Sequence, residues 1–333
     1  MRRILLPLCA LVLIAALMLP LCGCSGKSGN DTIKIVCTLF PQYDWARNVV
    51  GDVEGVEISL LIQNGTDPHS YQPTAADIME ISDCDMIIYL GATSDLWVSK
   101  ALERANNEDT EKLALTELQG ITLHNVSSAS HSHGDDGHDG HDGHDGHDHG
   151  ALDEHLWLSL SNAAAAVAEI ADRLSRLDEK NAERYLSNAA SYTSALGELD
   201  AKYKAAAESS PEDHRFMLFA DRFPFVYLLS DYGIDYKAAF DGCTTDVDAG
   251  FDTVLELIKE AEEHSAKYVA VTETSDGALA RTVADSAKAS IEIIVMNSLQ
   301  SVTQKQLKEG ISYLQVMESN LTALSKAIGA AGE

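Results

Sequence analysis

The chain has 333 residues, of which 45% are apolar, and its formal net charge is −28 at neutral pH. This length is enough for two ordinary domains with a sizeable core. So acidic a surface repels nucleic acids and anionic lipid headgroups, which excludes both as partners, and it concentrates cations instead.

The N-terminal segment has the pattern of a secretory signal, with a basic start followed by the apolar residues 4–21. Two prolines and the small residues after the run make a retained membrane span the weaker interpretation. Residues 21–24 read Leu-Cys-Gly-Cys and resemble the lipobox of bacterial lipoproteins, which implies cleavage before Cys24 and lipid attachment to its thiol. We therefore expect a signal peptide at residues 1–23 and a flexible tether at residues 24–31.

From residue 32 onward, short apolar runs alternate with helical stretches. Several runs lack period-two alternation, which is typical of parallel strands that are covered on both faces. The predicted strands are residues 33–39, 56–62, 86–90, 216–219, 268–271 and 291–296. Thr74 and Asp77 form a capping-box pattern at the start of a helix. This alternation predicts an α/β fold with doubly wound sheets.

The middle of the chain predicts two helices that are separated near residues 177–179. Residues 162–209 contain almost no glycine or proline, and leucines and tyrosines recur there at helical spacing. The second helix would span about 40 Å and could join two α/β halves as a rigid strut, although two ordinary packed helices remain the alternative. Residues 302–328 predict one further amphipathic helix with Thr303 as its cap.

A run of histidine, aspartate and glycine interrupts the chain before residue 150. Its seven histidines are His131, His133, His138, His141, His144, His147 and His149. Imidazole and carboxylate groups bind borderline divalent metals, zinc above all. The repeat has no apolar side chain to bury, so we expect it to stay solvated. A purification tag is the weaker interpretation, since a tag would lie at a terminus and lack the aspartates.

Polar groups that can bind a metal follow several predicted strands, where ligands of open α/β sheets bind. His69 lies in a loop between a proline and a serine, an unusual place for a core histidine. His155 follows the histidine run, and the carboxylate next to it could orient its imidazole. Asp221 and Glu273 follow strands of the second half, and an ion pair with Arg222 is the alternative role for Asp221. We expect these groups to converge on one cleft.

Five sequence blocks occur together in this chain. They are NGTDPHSYQPTAADI, CDMIIYLGATSDLWV, DEHLWLSLSNA, NAERYLSNAASY and SYLQVMESNLTALSKAI. With these blocks the chain resembles the metal-binding (zinc and manganese) solute-binding proteins of bacterial ABC importers over nearly its whole mature length. The resemblance implies two Rossmann-like α/β lobes with parallel sheets, joined by one long rigid helix, with a metal in the interlobe cleft. It also implies a membrane permease and its ATPase as partners.

The same resemblance divides the chain into an N-terminal lobe at residues 32–178, a linking helix at 179–209 and a C-terminal lobe at 210–330. A His/Asp-rich loop at residues 127–151 is typical of the zinc-specific branch. Many zinc members have a histidine where this chain has Ala220, and Asp221 beside it could take over. The implied ligand set is His69, His155, Asp221 and Glu273, which suits tetrahedral zinc.

We therefore predict a lipid-anchored, extracytoplasmic monomer that captures zinc for import and is not an enzyme. Manganese is the weaker candidate, because Asn297 stands where manganese members have an aspartate and manganese prefers oxygen-rich sites. A different class of function is a surface zinc buffer or adhesin that acts through the histidine run. An extracellular zinc hydrolase is a third reading, but the sequence has none of the hydrolase motifs that would support it.

Overall fold

Two four-stranded parallel sheets form the scaffold, as the resemblance implied. The first sheet has the order β2-β1-β3-β4 and the second β6-β5-β7-β8. The strands are β1 (Ile33–Cys37), β2 (Val56–Leu60), β3 (Met86–Tyr89), β4 (Glu111–Ala114), β5 (Phe216–Phe219), β6 (Asp235–Ala238), β7 (Tyr268–Thr272) and β8 (Glu292–Met296). All strand pairs within each sheet are parallel.

The computed structural model describes residues 32–125, 152–240, 242 and 250–330. The predicted signal peptide, Cys24, the tether, the histidine run and Cys243 lie outside the described residues. The helices are α1 (Phe40–Val50), α2 (Ala75–Ser82), α3 (Leu96–Leu102), α4 (Leu160–Leu177), α5 (Ala182–Ser209), α6 (Val226–Asp231), α7 (Phe251–Glu263), α8 (Ala278–Ser286), α9 (Gln304–Lys308) and α10 (Tyr313–Ala327). No helix in the described part of the chain has both the length and the apolar composition of a membrane span.

All six predicted strands are present, and two further strands, β4 and β6, complete the sheets. Strand β1 shows why its run is almost wholly apolar: Ile35 and Cys37 pack into the main core, whereas Val36 packs into a second cluster on the other face. Each face of the sheet is therefore covered. Strands β4 and β6 read EKLA and DYKA, so half of their residues are polar and the apolar pattern is too short to detect.

The long helix α5 contacts both halves of the molecule. It packs against α4 and α1 of the first lobe and against α10 of the second. The Tyr192 hydroxyl donates to the Asp44 carboxylate of α1 at 3.2 Å, and the Tyr203 hydroxyl donates to the Met317 carbonyl oxygen of α10 at 2.6 Å. The predicted break between α4 and α5 is confirmed, since a short 3₁₀ turn (Glu179–Asn181) separates them.

The C-terminal helix was predicted as one element, and this prediction is wrong. Thr303 caps only the short helix α9, where its hydroxyl accepts from the Gln306 amide. The chain then turns at Gly310, which has a φ of 80°. Ser312 caps α10 by accepting from the Gln315 amide at 3.3 Å. The apolar side chains expected in this region nevertheless line the core, with Met317, Leu324 and Ile328 fully buried, as predicted.

The Gly197→Ala substitution should stabilise the protein. Gly197 lies inside α5, and a methyl group at this position would contact no neighbouring atom. Alanine is favoured over glycine in a helix interior by about 1 kcal/mol, so we expect the midpoint of urea denaturation to rise. Gly310→Ala is the matched control and should lower the midpoint, because the left-handed φ of Gly310 strains alanine. A lower midpoint for Gly197→Ala would contradict an unbroken α5.

Candidate metal centre

His69 lies in a short 3₁₀ turn (Pro68–Ser70) that follows β2, at the carboxyl end of the first sheet. The Asp67 carboxylate caps this turn, with Oδ1 accepting from the His69 amide at 2.9 Å. The other oxygen, Oδ2, accepts from Nη1 of Arg222 in the second lobe at 2.8 Å. The His69 side chain keeps 23% of its surface exposed. The backbone of His69 is therefore fixed from both lobes, while its ring stays partly exposed.

His155 is buried and oriented by the carboxylate of Asp153. Oδ1 of Asp153 accepts from the His155 amide at 2.9 Å and lies 2.9 Å from the ring atom Nδ1. When this carboxylate is ionised, Nδ1 carries the proton and Nε2 presents a lone pair, which is the form that coordinates a metal. The edge of the Trp157 ring contacts His155 at a centroid distance of 5.2 Å.

The carboxylate next to His155, on Glu154, was predicted to orient the His155 imidazole, and the structure corrects this. The residue that contacts His155 is Asp153, two positions earlier, because the Asp153 side chain folds back over the peptide that follows it. Glu154 points away, and its Oε2 lies 3.7 Å from Nδ1 of His69. The sequence could have indicated this role of Asp153, because an aspartate stands two residues before the histidine.

The two histidines meet, as predicted. The centroids of the His69 and His155 rings are 5.5 Å apart, with the ring planes tilted by 57°. Neither Asp153 nor Glu154 forms an ion pair with a lysine or arginine among the residues that the structure describes. The histidine pair therefore lies beside two carboxylates whose charge is not neutralised by a basic side chain, an environment that favours a divalent cation.

Asp221 follows β5 and is held by its own lobe. Its Oδ2 accepts from the Thr272 amide at 2.8 Å and from the Thr272 hydroxyl at 2.6 Å, while Oδ1 accepts from the Arg222 amide. The alternative role of Asp221, an ion pair with Arg222, is not observed, since that guanidinium binds Asp67. Ala220 packs with the apolar side chains beneath α7 and α8, so its side chain is part of the core.

Glu273 follows β7, and Ser298 occupies both of its oxygens. The Ser298 amide donates to Oε2 at 2.8 Å and the Ser298 hydroxyl to Oε1 at 2.7 Å. Burial raises the pKa of the Glu273 carboxyl, the bonds from Ser298 oppose this shift, and the nearby Asp221 carboxylate adds to it. A cavity of about 20 Å³ beside Glu273 is also lined by Asp67 and Arg222. This volume holds roughly one water molecule.

Two hydrogen bonds connect the histidine turns to the loops that carry the carboxylates. The Trp157 indole donates to the Ser298 carbonyl oxygen at 2.9 Å, and Arg222 binds Asp67 as described. The four predicted ligands thus form two pairs, the histidines in one lobe and the carboxylates in the other. Across residues 32–125, 152–240 and 250–330, no three His, Cys, Asp or Glu side chains are grouped so that they could hold a metal ion.

A third carboxyl group, on Asp95, lies next to Ser94, whose amide donates to the Glu154 carboxylate. Burial raises its pKa to about 6, although the amides of Leu90, Gly91 and Ala92 donate to the carboxylate and oppose the shift. The charge of Glu154 contributes to the increase. The loop after β3 therefore places a second buried carboxyl group within electrostatic reach of Glu154.

The chain is similar in sequence to known zinc-binding and zinc-uptake proteins. The sequence profile of the ZnuA family, zinc-uptake complex component A periplasmic, matches residues 35–327. The chain is 31% identical over 321 residues to the zinc-binding lipoprotein AdcA of Streptococcus pneumoniae, which covers 96% of this chain and 59% of that protein. It is 29% identical over 325 residues to the high-affinity zinc uptake system protein ZnuA of Bacillus subtilis, with 96% and 97% covered.

A solved zinc-bound structure is also similar to this chain. The Zn(II)-bound ZnuA-like domain of Streptococcus pneumoniae AdcA has a TM-score of 0.70 and 28% sequence identity to this chain, covering 89% of this chain and 99% of that domain. The chain spans 59% of the full length of that relative, so the similarity concerns one part of the larger protein.

The Asp153→Asn substitution should weaken zinc binding by about 10- to 100-fold, as is usual when the group that orients a histidine ligand is altered. The asparagine amide fixes the proton on Nδ1 of His155 less strictly than the carboxylate, because its oxygen can accept from Nδ1–H but its NH2 group can also donate to Nδ1. Competition with a chromophoric chelator measures the affinity. Asp178→Asn is the matched control, since Asp178 is also buried and accepts from Tyr185, but it lies near the start of α5. Equal zinc affinity of Asp153→Asn and the wild type would contradict the role of Asp153.

Proposed function

Since the chain belongs to the family of the periplasmic zinc-uptake component ZnuA, we propose that it captures zinc outside the cytoplasm and delivers it to the membrane permease of an ABC importer. The observation that carries this proposal is the histidine pair, in which His155 is held in its metal-binding form by Asp153. One relative is named as a zinc-binding lipoprotein and another as a zinc uptake system protein, which supports a binding protein and not an enzyme.

The proposed ligands are His69, His155, Asp221 and Glu273. Two imidazoles and one or two carboxylates suit tetrahedral zinc, with Zn–N distances of roughly 2.0–2.1 Å. To coordinate the ion, Glu273 must exchange a hydrogen bond with Ser298 for the metal, and Asp221 must do the same with Thr272. The hydrogen bonds from Trp157 to Ser298 and from Arg222 to Asp67 support this set, because they hold the histidine turns against the loops that carry these carboxylates.

The location and partners of the protein follow from the same proposal. A permease and its ATPase receive the ion, and the lipid attached to Cys24 keeps the protein at the outer face of the cell membrane. The name of the AdcA relative, a lipoprotein, supports this anchor. We also propose that the chain acts as a monomer, with lobes at residues 32–178 and 210–330 and the linking helix at residues 179–209.

The histidine run is proposed to collect zinc for the cleft. Asn125 and Leu152 form an antiparallel bridge, and the Asp153 amide donates to the His124 carbonyl oxygen at 2.9 Å. Residues 124–125 and 152–153 are therefore held together two to three residues before His155. Ions held weakly by residues 131–149 would be released close to the histidine pair.

Deletion of residues 131–149 should leave one tight zinc site and remove several weak ones, because the tight ligands belong to the folded lobes. Calorimetric titration of the full chain and of the shortened chain measures both classes of site. If the tight site disappears with the deletion, the protein is instead a zinc buffer that acts through its histidine run.

His69→Ala should reduce zinc affinity by about 100-fold or more, since one of four ligands is lost. His214→Ala is the matched control, because His214 is exposed and lies far along the chain in another turn. Titration with manganese in parallel tests selectivity, where a tighter manganese complex of the wild type would favour a manganese importer. Unchanged zinc affinity in His69→Ala would remove His69 from the ligand set.

A further inference from the structure

Glu154 is a buried carboxylate that neither the predicted ligand set nor the relatives' names explain. Its side chain is 9% exposed, and among the described residues it has no lysine or arginine as a partner. Its contacts are the Ser94 amide, which lies 3.0 Å and 3.3 Å from its two oxygens, and the imidazole of His69. Burying a carboxylate without a basic partner is costly, so such a group indicates a specific role.

The direction of the side chain identifies that role. Ser94 belongs to the 3₁₀ turn Thr93–Asp95 and holds the Glu154 carboxylate in place through its backbone. Oε2 then lies 3.7 Å from Nδ1 of His69, outside hydrogen-bond distance by about half an ångström. A small rotation of the exposed His69 ring closes this gap, whereas Glu154 is fixed.

The pair of Asp153 and His155 shows what a hydrogen bond between Glu154 and His69 would do. Asp153 binds Nδ1 of His155 at 2.9 Å and thereby leaves the lone pair on Nε2. Asp153 and Glu154 are consecutive, and they serve one imidazole each. We propose that Glu154 is the positioning residue of His69: it holds the proton on Nδ1 and directs the Nε2 lone pair toward the metal. This inference rests on the proposed zinc function, which it refines.

The competing role for Glu154 is that of a direct metal ligand. A positioning residue and a metal ligand require different chemistry of the side-chain oxygen at position 154. An amide oxygen can accept a hydrogen bond from Nδ1–H as a carboxylate does, so glutamine partly preserves a positioning role. Zinc sites use carboxylate oxygen and not neutral amides as ligands, so glutamine would not preserve a ligand.

The test compares Glu154→Gln and Glu154→Ala with Glu198→Ala, which removes an exposed carboxylate from the middle of α5. Nitrogen-15 spectra of the histidine rings in metal-free protein report the His69 tautomer, with the signal assigned through His69→Ala. We expect the Nδ1–H form in the wild type and in Glu154→Gln, and a shift toward the Nε2–H form in Glu154→Ala. Glu198→Ala should match the wild type.

Metal affinity and spectroscopy complete the test. Zinc affinity should fall about 10- to 100-fold in Glu154→Ala and less in Glu154→Gln, as for other groups that orient a ligand. The absorption spectrum of the cobalt-substituted protein should stay unchanged in both variants, because the ligand set is the same. A changed cobalt spectrum together with equal losses in both variants would make Glu154 a ligand and overturn the proposal.

An unchanged His69 tautomer in Glu154→Ala would also overturn the proposal that Glu154 positions His69. If Glu154→Ala does not fold, Glu154→Met takes its place in the tautomer measurement, since methionine keeps the length of the side chain but has no oxygen that accepts from Nδ1–H. A wild-type tautomer in Glu154→Met would show that the role of Glu154 is purely structural and would overturn the proposal. The tautomer measurement needs no metal. If the wild-type protein has no tight zinc site, the proposed function is refuted. The tautomer measurement then still shows whether Glu154 holds the proton on Nδ1 of His69.

Discussion

The hydrogen bond from the Trp157 indole to the Ser298 carbonyl oxygen is the contact on which the candidate site depends. Trp157 follows His155 in the same turn, and Ser298 holds both oxygens of Glu273. One side chain thus fixes the distance between a histidine of the first lobe and a carboxylate of the second. Trp157 and Ser298 are both buried, so the contact is expensive to break, because an unpaired indole or carbonyl in the interior costs about 1–3 kcal/mol. The Asp67–Arg222 pair adds a second, more exposed connection beside His69.

The two halves of the site are organised differently. In the first lobe, carboxylates orient imidazoles, with Asp153 on His155 and Glu154 beside His69. In the second lobe, the carboxylates of Asp221 and Glu273 are held by hydroxyl and amide donors of neighbouring loops. Under the proposed function, a zinc ion that binds Glu273 must compete with the hydrogen bonds from Ser298. Capture and release of the ion would therefore change the contacts of Ser298, the residue whose carbonyl oxygen binds Trp157 of the first lobe. The pKa of Glu273 is already raised by burial, and a bound cation would offset that cost.

Much of the fold was predictable from the sequence because its signals are local. Mostly apolar runs predicted six strands, and the Thr74 capping box and the break before α5 were also correct. The strands β4 and β6 were missed because half of their residues are polar, and the C-terminal helix was predicted as one because the turn at Gly310 leaves the apolar spacing intact. His69 and His155 could be found from strand ends and family resemblance. The partners of Asp221 and Glu273 could not, because Thr272 and Ser298 lie 51 and 25 residues away along the chain.

A crystal structure of the zinc-loaded protein, with anomalous diffraction data collected on both sides of the zinc absorption edge, tests the central claim most directly. The account predicts one strong zinc peak between the lobes, roughly 2.0–2.1 Å from Nε2 of both His69 and His155 and in contact with at least one carboxylate of the second lobe. A strong zinc peak bound only by residues 131–149, with no zinc at the histidine pair, would contradict it.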